Sequence, residues 1–286
     1  MTIHRNERAF TLVELLVTLA IVAAIFGGLL KQYTSSVQTA RDQSIRIAVQ
    51  AQAQAVTQSI ISDLRTLGNG VPYDQANFQI GENTLVDPTV TEPLVVAQCT
   101  SSKVAFRLNE TGEVNLLRSD FNPAATTEVE LTGIEGLDAN DPIYISNSVV
   151  GGDDGLYGTI EEVDAVNKVV TLNLGYDASP GAVFNMGSIF EEVPIVSYET
   201  SAEGNIVRDS GYGPVIMAEN AQVNFDYISW DGSELVLPLT IVALVDSLRS
   251  IRVTVTVRSQ QLLSSGVQHQ VTVEQLVGLR NLNLFY

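Results

Sequence analysis

The chain reads as an α+β protein in which one long N-terminal helix is followed by an antiparallel β-sheet domain carrying a small inserted β-unit. Three observations predict this. An apolar run of about 21 residues from Phe10 to Leu30 is long enough to cross a bilayer's hydrocarbon as a helix. The next stretch, to Leu67, holds no proline and repeats apolar residues at helical steps. Beyond it the pattern changes to short strands separated by turn residues, with strict alternation from Ile251 to Arg258.

Residues 1–9 form a short charged leader with Arg5 and Arg8. Residues 10–67 are the predicted helix, of which 10–30 would lie in the membrane, and the flanking arginines place the N-terminus on the cytoplasmic side. Within the apolar run the one full charge is Glu14. An ionised carboxylate in a spanning helix costs roughly 2.5 to 3.5 kcal/mol, so its presence points to a role and to a partner of opposite charge. A cut between Ala9 and Phe10 would supply one, because the new α-amine on Phe10 lies one turn from Glu14 and at the same depth on a neighbouring copy. At ~4 Å and an effective dielectric near 20, that attraction is about 4 kcal/mol, enough to offset the insertion cost. Two other readings compete: a secretory signal cut after Val22-Ala23-Ala24, which would discard Glu14, and an uncleaved anchor, which leaves Glu14 without a purpose.

The residues Ala9-Phe10-Thr11-Leu12-Val13-Glu14-Leu15-Leu16 resemble the class III signal of type IV pilins and of type II secretion pseudopilins. The resemblance implies cleavage and N-methylation before Phe10 by a prepilin peptidase, with Glu14 pairing with that amine between subunits. Where the family usually has Gly before the cut, this chain has Ala9. It also implies a pilin-like fold, partners among major and minor pilins and the pilus assembly machinery, and residence in the inner membrane before assembly into a filament at the cell surface.

The helix should continue past the membrane, with a stripe at Val37, Ala40, Ile45, Ala48, Ala51, Ala55, Ile60, Leu64 and Leu67 packing against the rest of the chain. Gly27 and Gly28 mark either a place that loosens on assembly or a close helix contact in lipid. Gly68, Asn69, Gly70 and Pro72 should end the helix. Residues 68–286 then form the β-rich globular domain, with 75–98 as a surface connection. Lys103 to Leu108 and Val114 to Arg118 read as a hairpin around a turn at Asn109 to Gly112. Five short strands over 128–193 suggest a small closed or nearly closed β-unit. It resembles the β-insertion of larger minor pilins, with Ala139 to Ser146 as its opening. The succession Val223 to Ile228, Trp230-Asp231-Gly232, Ile251 to Arg258 and Val271 to Asn281 is similar to PilW-type minor pilins and J-type minor pseudopilins.

Composition narrows the chemistry. The formal net charge is −18, concentrated after Leu67, where nine Lys/Arg face 29 Asp/Glu. Such a surface repels phosphate backbones, so nucleic acid is not an expected partner. A single cysteine, Cys99, rules out an intrachain disulfide and suits a small buried residue. His4 and His269 are the two histidines; with no nucleophile motif beside either, no catalytic residues and no enzyme activity are expected. No cofactor is expected either, calcium being the one candidate, through Asp153 and Asp154 in a Gly-rich loop, with Asp138 and Asp141 as a second acidic turn. Trp230, Tyr212, Tyr227 and Tyr286 offer aromatic planes for a sugar, or simply pack the sheet. Size favours a minor pilin subunit; the alternatives are a minor pseudopilin of type II secretion, and an anchored β-domain that binds a surface ligand without polymerising.

Overall fold

The computed structural model describes residues 12–67, 99–146, 155–174, 183–237 and 248–279. The helix-stopping residues Gly68 to Pro72, the connection 75–98, the candidate calcium ligands Asp153 and Asp154, and Tyr286 lie outside the described residues. The chain divides into two compact units, Met1–Val49 with Ser259–His269, and Gln50–Arg258 with Gln270–Tyr286.

Helix α1 (Leu12–Thr66) runs unbroken for 55 residues, about 82 Å at 1.5 Å per residue. It passes straight through Gly27 and Gly28, where an added Cβ would meet nothing within 4 Å. Its outer half buries Ala53, Val56, Thr57, Ile60, Ile61, Leu64 and Leu67. This stripe shares Ile60, Leu64 and Leu67 with the predicted one but is rotated elsewhere: Ala48, Ala51 and Ala55 are exposed. Alanine gains little from burial, so the face is decided by the larger Val and Ile side chains, each contributing roughly 1.5–3 kcal/mol when fully covered.

Strands β1 (Lys103–Arg107), β8 (Ile195–Thr200), β9 (Ile206–Asp209) and β10 (Val215–Ala218) form a four-stranded antiparallel sheet in that order. A second sheet orders β11 (Ala221–Ser229), β12 (Leu248–Leu262) and β13 (Gln268–Gly278). In β12 the predicted alternation holds: Ile251, Val253, Val255 and Val257 are fully buried, while Arg258 is exposed. On its other face Arg252 pairs with Glu234 at 2.8 Å and Glu274 at 3.3 Å.

The third sheet is a barrel. Its order is β2 (Asn115–Leu116), β7 (Ile189–Glu192), β4 (Pro142–Ser146), β5 (Gly155–Asp164), β6 (Val169–Asn173) and β3 (Glu128–Glu130). The two ends meet: Leu117 bridges Leu131, Arg118 N–H donates to Glu130 O at 2.8 Å, and Thr132 N–H donates to Leu116 O at 2.9 Å. Closure removes the exposed edges that an open sheet would present. The lumen is packed with side chains, among them Phe121, Phe184 and Phe190 with Ile143, Ile145, Leu156, Val170 and Leu172. A bulge between Ile160 and Glu162 and the bare Gly158, whose Cβ would crowd Leu174 at 3.2 Å and Asn173 O at 3.3 Å, let β5 curl around this core. The hairpin from Val163 to Val169 turns at Asn167, with Asp164 Oδ1 accepting from Val166 and Asn167 N–H groups at 2.9 and 3.1 Å.

The predicted hairpin of Lys103 to Leu108 with Val114 to Arg118 does not form. β1 pairs with β8, Arg107 opposite Ile195, whereas β2 pairs with β7, Asn115 opposite Phe190. The turn itself exists, Asn109 Oδ1 accepting from Gly112 N–H at 2.8 Å. It carries the chain from one sheet to the next because Val104 to Arg107 are buried without alternation, as a strand covered on both faces must be. β2 also brings the start of the barrel forward to Asn115.

Candidate functional site

From Leu12 to Leu30 every described side chain of α1 is exposed, including Leu12 at 75%, Phe26 at 61% and Leu30 at 61%. A helix apolar on all sides is stable only inside lipid or among other apolar helices. By length and composition this segment is long and apolar enough to cross a membrane, and none of it is buried by the described residues. Glu14 lies in the first turn, where a carboxylate interacts favourably with the helix dipole. One turn later Thr18 donates its hydroxyl to Glu14 O at 2.7 Å, which keeps this polar group satisfied in an apolar setting. Ala9 and Phe10, the expected processing site, lie outside the described residues.

In the unit formed by Met1–Val49 and Ser259–His269, Asp42 accepts from Ser264 N–H at 2.9 Å and Ser264 Oγ at 2.5 Å. Those hydrogen bonds hold its carboxyl below the ordinary range. His269 donates its backbone N–H to Ser259 Oγ at 2.9 Å, while that hydroxyl donates to Gln261 O at 2.7 Å. The serine hydroxyl is therefore engaged with backbone groups.

The outer helix is fastened to the sheets by a polar network that sequence reasoning missed. Tyr198 donates its hydroxyl to Asp63 Oδ2 at 2.7 Å, and Arg208 Nε donates to the same oxygen at 3.0 Å. Arg208 reaches Glu110 through Nη2 and lies 5.9 Å from the Tyr198 ring centroid. Burial pushes the Tyr198 hydroxyl well above its ordinary pKa, so it remains a donor. α1, β8, β9 and the turn after β1 thus share one charge-assisted cluster. Its members lie as much as 145 residues apart, and no local pattern announces them.

The remaining sequence candidates separate. Cys99 is buried, donates to Ala105 O at 3.6 Å, and has its thiol pushed up to about 11 by burial. Tyr227 is interior, its hydroxyl 3.1 Å from Lys103 O, whereas Trp230 and Tyr212 are exposed. Asp138 and Asp141 do form a turn, with Asp138 N–H donating to Asp141 Oδ2 at 2.6 Å. Next to it a cavity of about 420 Å³ is lined by Asp141, Pro142, Pro194, Ile195 and Tyr212.

No curated protein matches the chain. The family model described as the prokaryotic N-terminal methylation motif matches residues 4–30. That segment contains the whole Ala9-to-Leu16 stretch and the exposed apolar half of α1 as far as Leu30. The chain therefore carries, at the head of a helix long and apolar enough to cross a membrane, the class III signal of type IV pilin-like proteins.

Proposed function

We propose that the protein is a minor type IV pilin-like structural subunit. A prepilin peptidase removes Met1 to Ala9 and methylates Phe10; the mature chain waits in the inner membrane and is then drawn into a pilus, where it primes or caps the filament at the cell surface. The observation that carries this reading is a methylation motif at residues 4–30 continuing into a helix whose apolar surface is covered by none of the described residues. Within the filament the covering groups would be the equivalent helices of major and minor pilins. The Phe10 amine would neutralise the neighbouring Glu14. The role proposed is structural, with no catalytic residue and no resident cofactor.

A bulky side domain supports the minor role. A six-stranded barrel added to the sheets is hard to repeat at every position of a dense helical lattice and is easily carried at a tip. Mass spectrometry of the protein extracted from membranes tests the proposal. The expected N-terminus is N-methylated Phe10. An intact Met1 would favour the non-polymerising anchor, and a start at Ile25 would discard Glu14 and overturn the reading. Co-purification with secretion pseudopilins in place of pilins would move the same chemistry to a type II secretion system.

A further inference from the structure

Two acidic side chains close one end of the barrel. Ile143 of β4 stands opposite Glu192 of β7, and cross-strand partners share a face, so Glu192 lies on the lumen side with Ile143. Asp141 stands immediately before β4, and its carboxylate meets the same tyrosine as Glu192. Both are buried, at 5% and 6% exposure. The group that meets them comes from the β9–β10 connection: Tyr212 places its hydroxyl 2.7 Å from Glu192 Oε1 and 3.2 Å from Asp141 Oδ1. Its ring stays largely outside, flanked by Gly211 and Gly213 at φ of +91° and +109°, backbone that favours glycine.

A phenol carries one proton, and an ionised carboxylate only accepts. With Asp141 and Glu192 both charged, Tyr212 hydrogen-bonds one of them and sets lone pair against lone pair with the other. Both contacts become hydrogen bonds once a second proton resides on the pair. We infer that Asp141 and Glu192 share one proton through Tyr212, making a clasp between the barrel end and the β9–β10 loop that tightens as the medium becomes acidic.

The surroundings favour that proton. Burial raises both carboxyls above their ordinary range; the Asp138 and Tyr212 hydrogen bonds oppose this for Asp141, and the Tyr212 bond opposes it for Glu192. The neighbouring charges of Asp138 and, for Glu192, Asp141 and Glu110 add to the rise. Arg208 on β9 is committed to Glu110 and Asp63. Asp209 is engaged with Gly211 N–H at 2.9 Å, and Glu191, next along β7, accepts from Asn109 at 3.2 Å. Because the folded-state pKa values lie above the unfolded ones, the contact is complete below the ordinary carboxylate range and is lost as pH rises through the folded values.

Hydrogen exchange on the full chain in detergent micelles tests the clasp, comparing about pH 3.5, below the ordinary carboxylate range, with about pH 7.5 after correction for intrinsic rates. Protection of the Gly211 and Tyr212 amides should be several-fold higher at the lower pH. Glu192→Gln should show high protection at both pH values, since the amide supplies the missing hydrogen. Tyr212→Phe, a change at an exposed ring, should show low protection at both. Equal protection at the two pH values in the unaltered chain, or a pH dependence that survives in either variant, would overturn the inference.

Discussion

The two halves of α1 are built from similar residues and meet opposite fates. Between Leu12 and Leu30 apolar side chains surround the axis and all are exposed; between Ala53 and Leu67 they occupy one stripe and are sealed against the sheets. A helix whose own chain covers one face needs polar residues on the other, and Gln54, Gln58, Ser62 and Arg65, all exposed, supply them. Where none of the described residues covers the helix, its apolar surface suits lipid or other apolar helices. Covering is therefore intramolecular at one end of the helix, while at the other the described residues leave the apolar surface open.

The largest expected effect separates the two completely. Glu14→Val removes a charge that opposes insertion by roughly 3 kcal/mol, so the variant should be found in the membrane fraction at undiminished or higher level. Its incorporation into sheared filaments should fall to background, and wild-type incorporation would break the contrast. Next comes packing: Leu64→Ala should lower the unfolding free energy of the globular part by about 2–5 kcal/mol in denaturant titration, whereas Phe26→Ala should leave it within about 0.5 kcal/mol. Equal losses would show that the inner half is also covered by its own chain. The smallest effect concerns the barrel face that meets the turn after β1. Burial raises the Glu191 carboxyl, with the Asn109 hydrogen bond opposing. Its ionisation thus costs stability as pH rises through the folded value. Glu191→Gln keeps that acceptor and should raise Tm by a degree or two at neutral pH, the scale of a few tenths of a kcal/mol, and by less near pH 5. An unchanged gain across pH would exclude ionisation as the cause.

How much of this was legible depended on the distance over which each signal acts. The spanning segment and the β12 alternation are written in consecutive residues and are found where the pattern puts them. The turn at Asn167 is just as local, since Asp164 caps it. The phase of the outer stripe was misjudged since Ala48, Ala51 and Ala55 have helical spacing but too little surface to choose a face. The pairing of β1 was misread because a good turn at Asn109 says where the chain bends and not which strand waits on the far side. The Asp63, Tyr198 and Arg208 cluster depends wholly on topology, as do the meeting of Tyr212 with Glu192 and the closing bridge between Leu117 and Leu131.

The register of β1 with β8 has a further meaning. Arg107 opposite Ile195, continued by Leu108 N–H donating to Pro194 O at 3.3 Å, is the last rung of a ladder whose natural cap would be a few residues. The chain instead leaves at that rung, builds a self-sealed barrel, and comes back beside its point of departure, since β2 and β7 are antiparallel neighbours. The barrel therefore occupies the place of a loop tip, and a graft of another compact module, or a plain two-residue turn, could replace it without moving the host ladder. Variation in this region can therefore remodel the barrel while the host ladder stays the same.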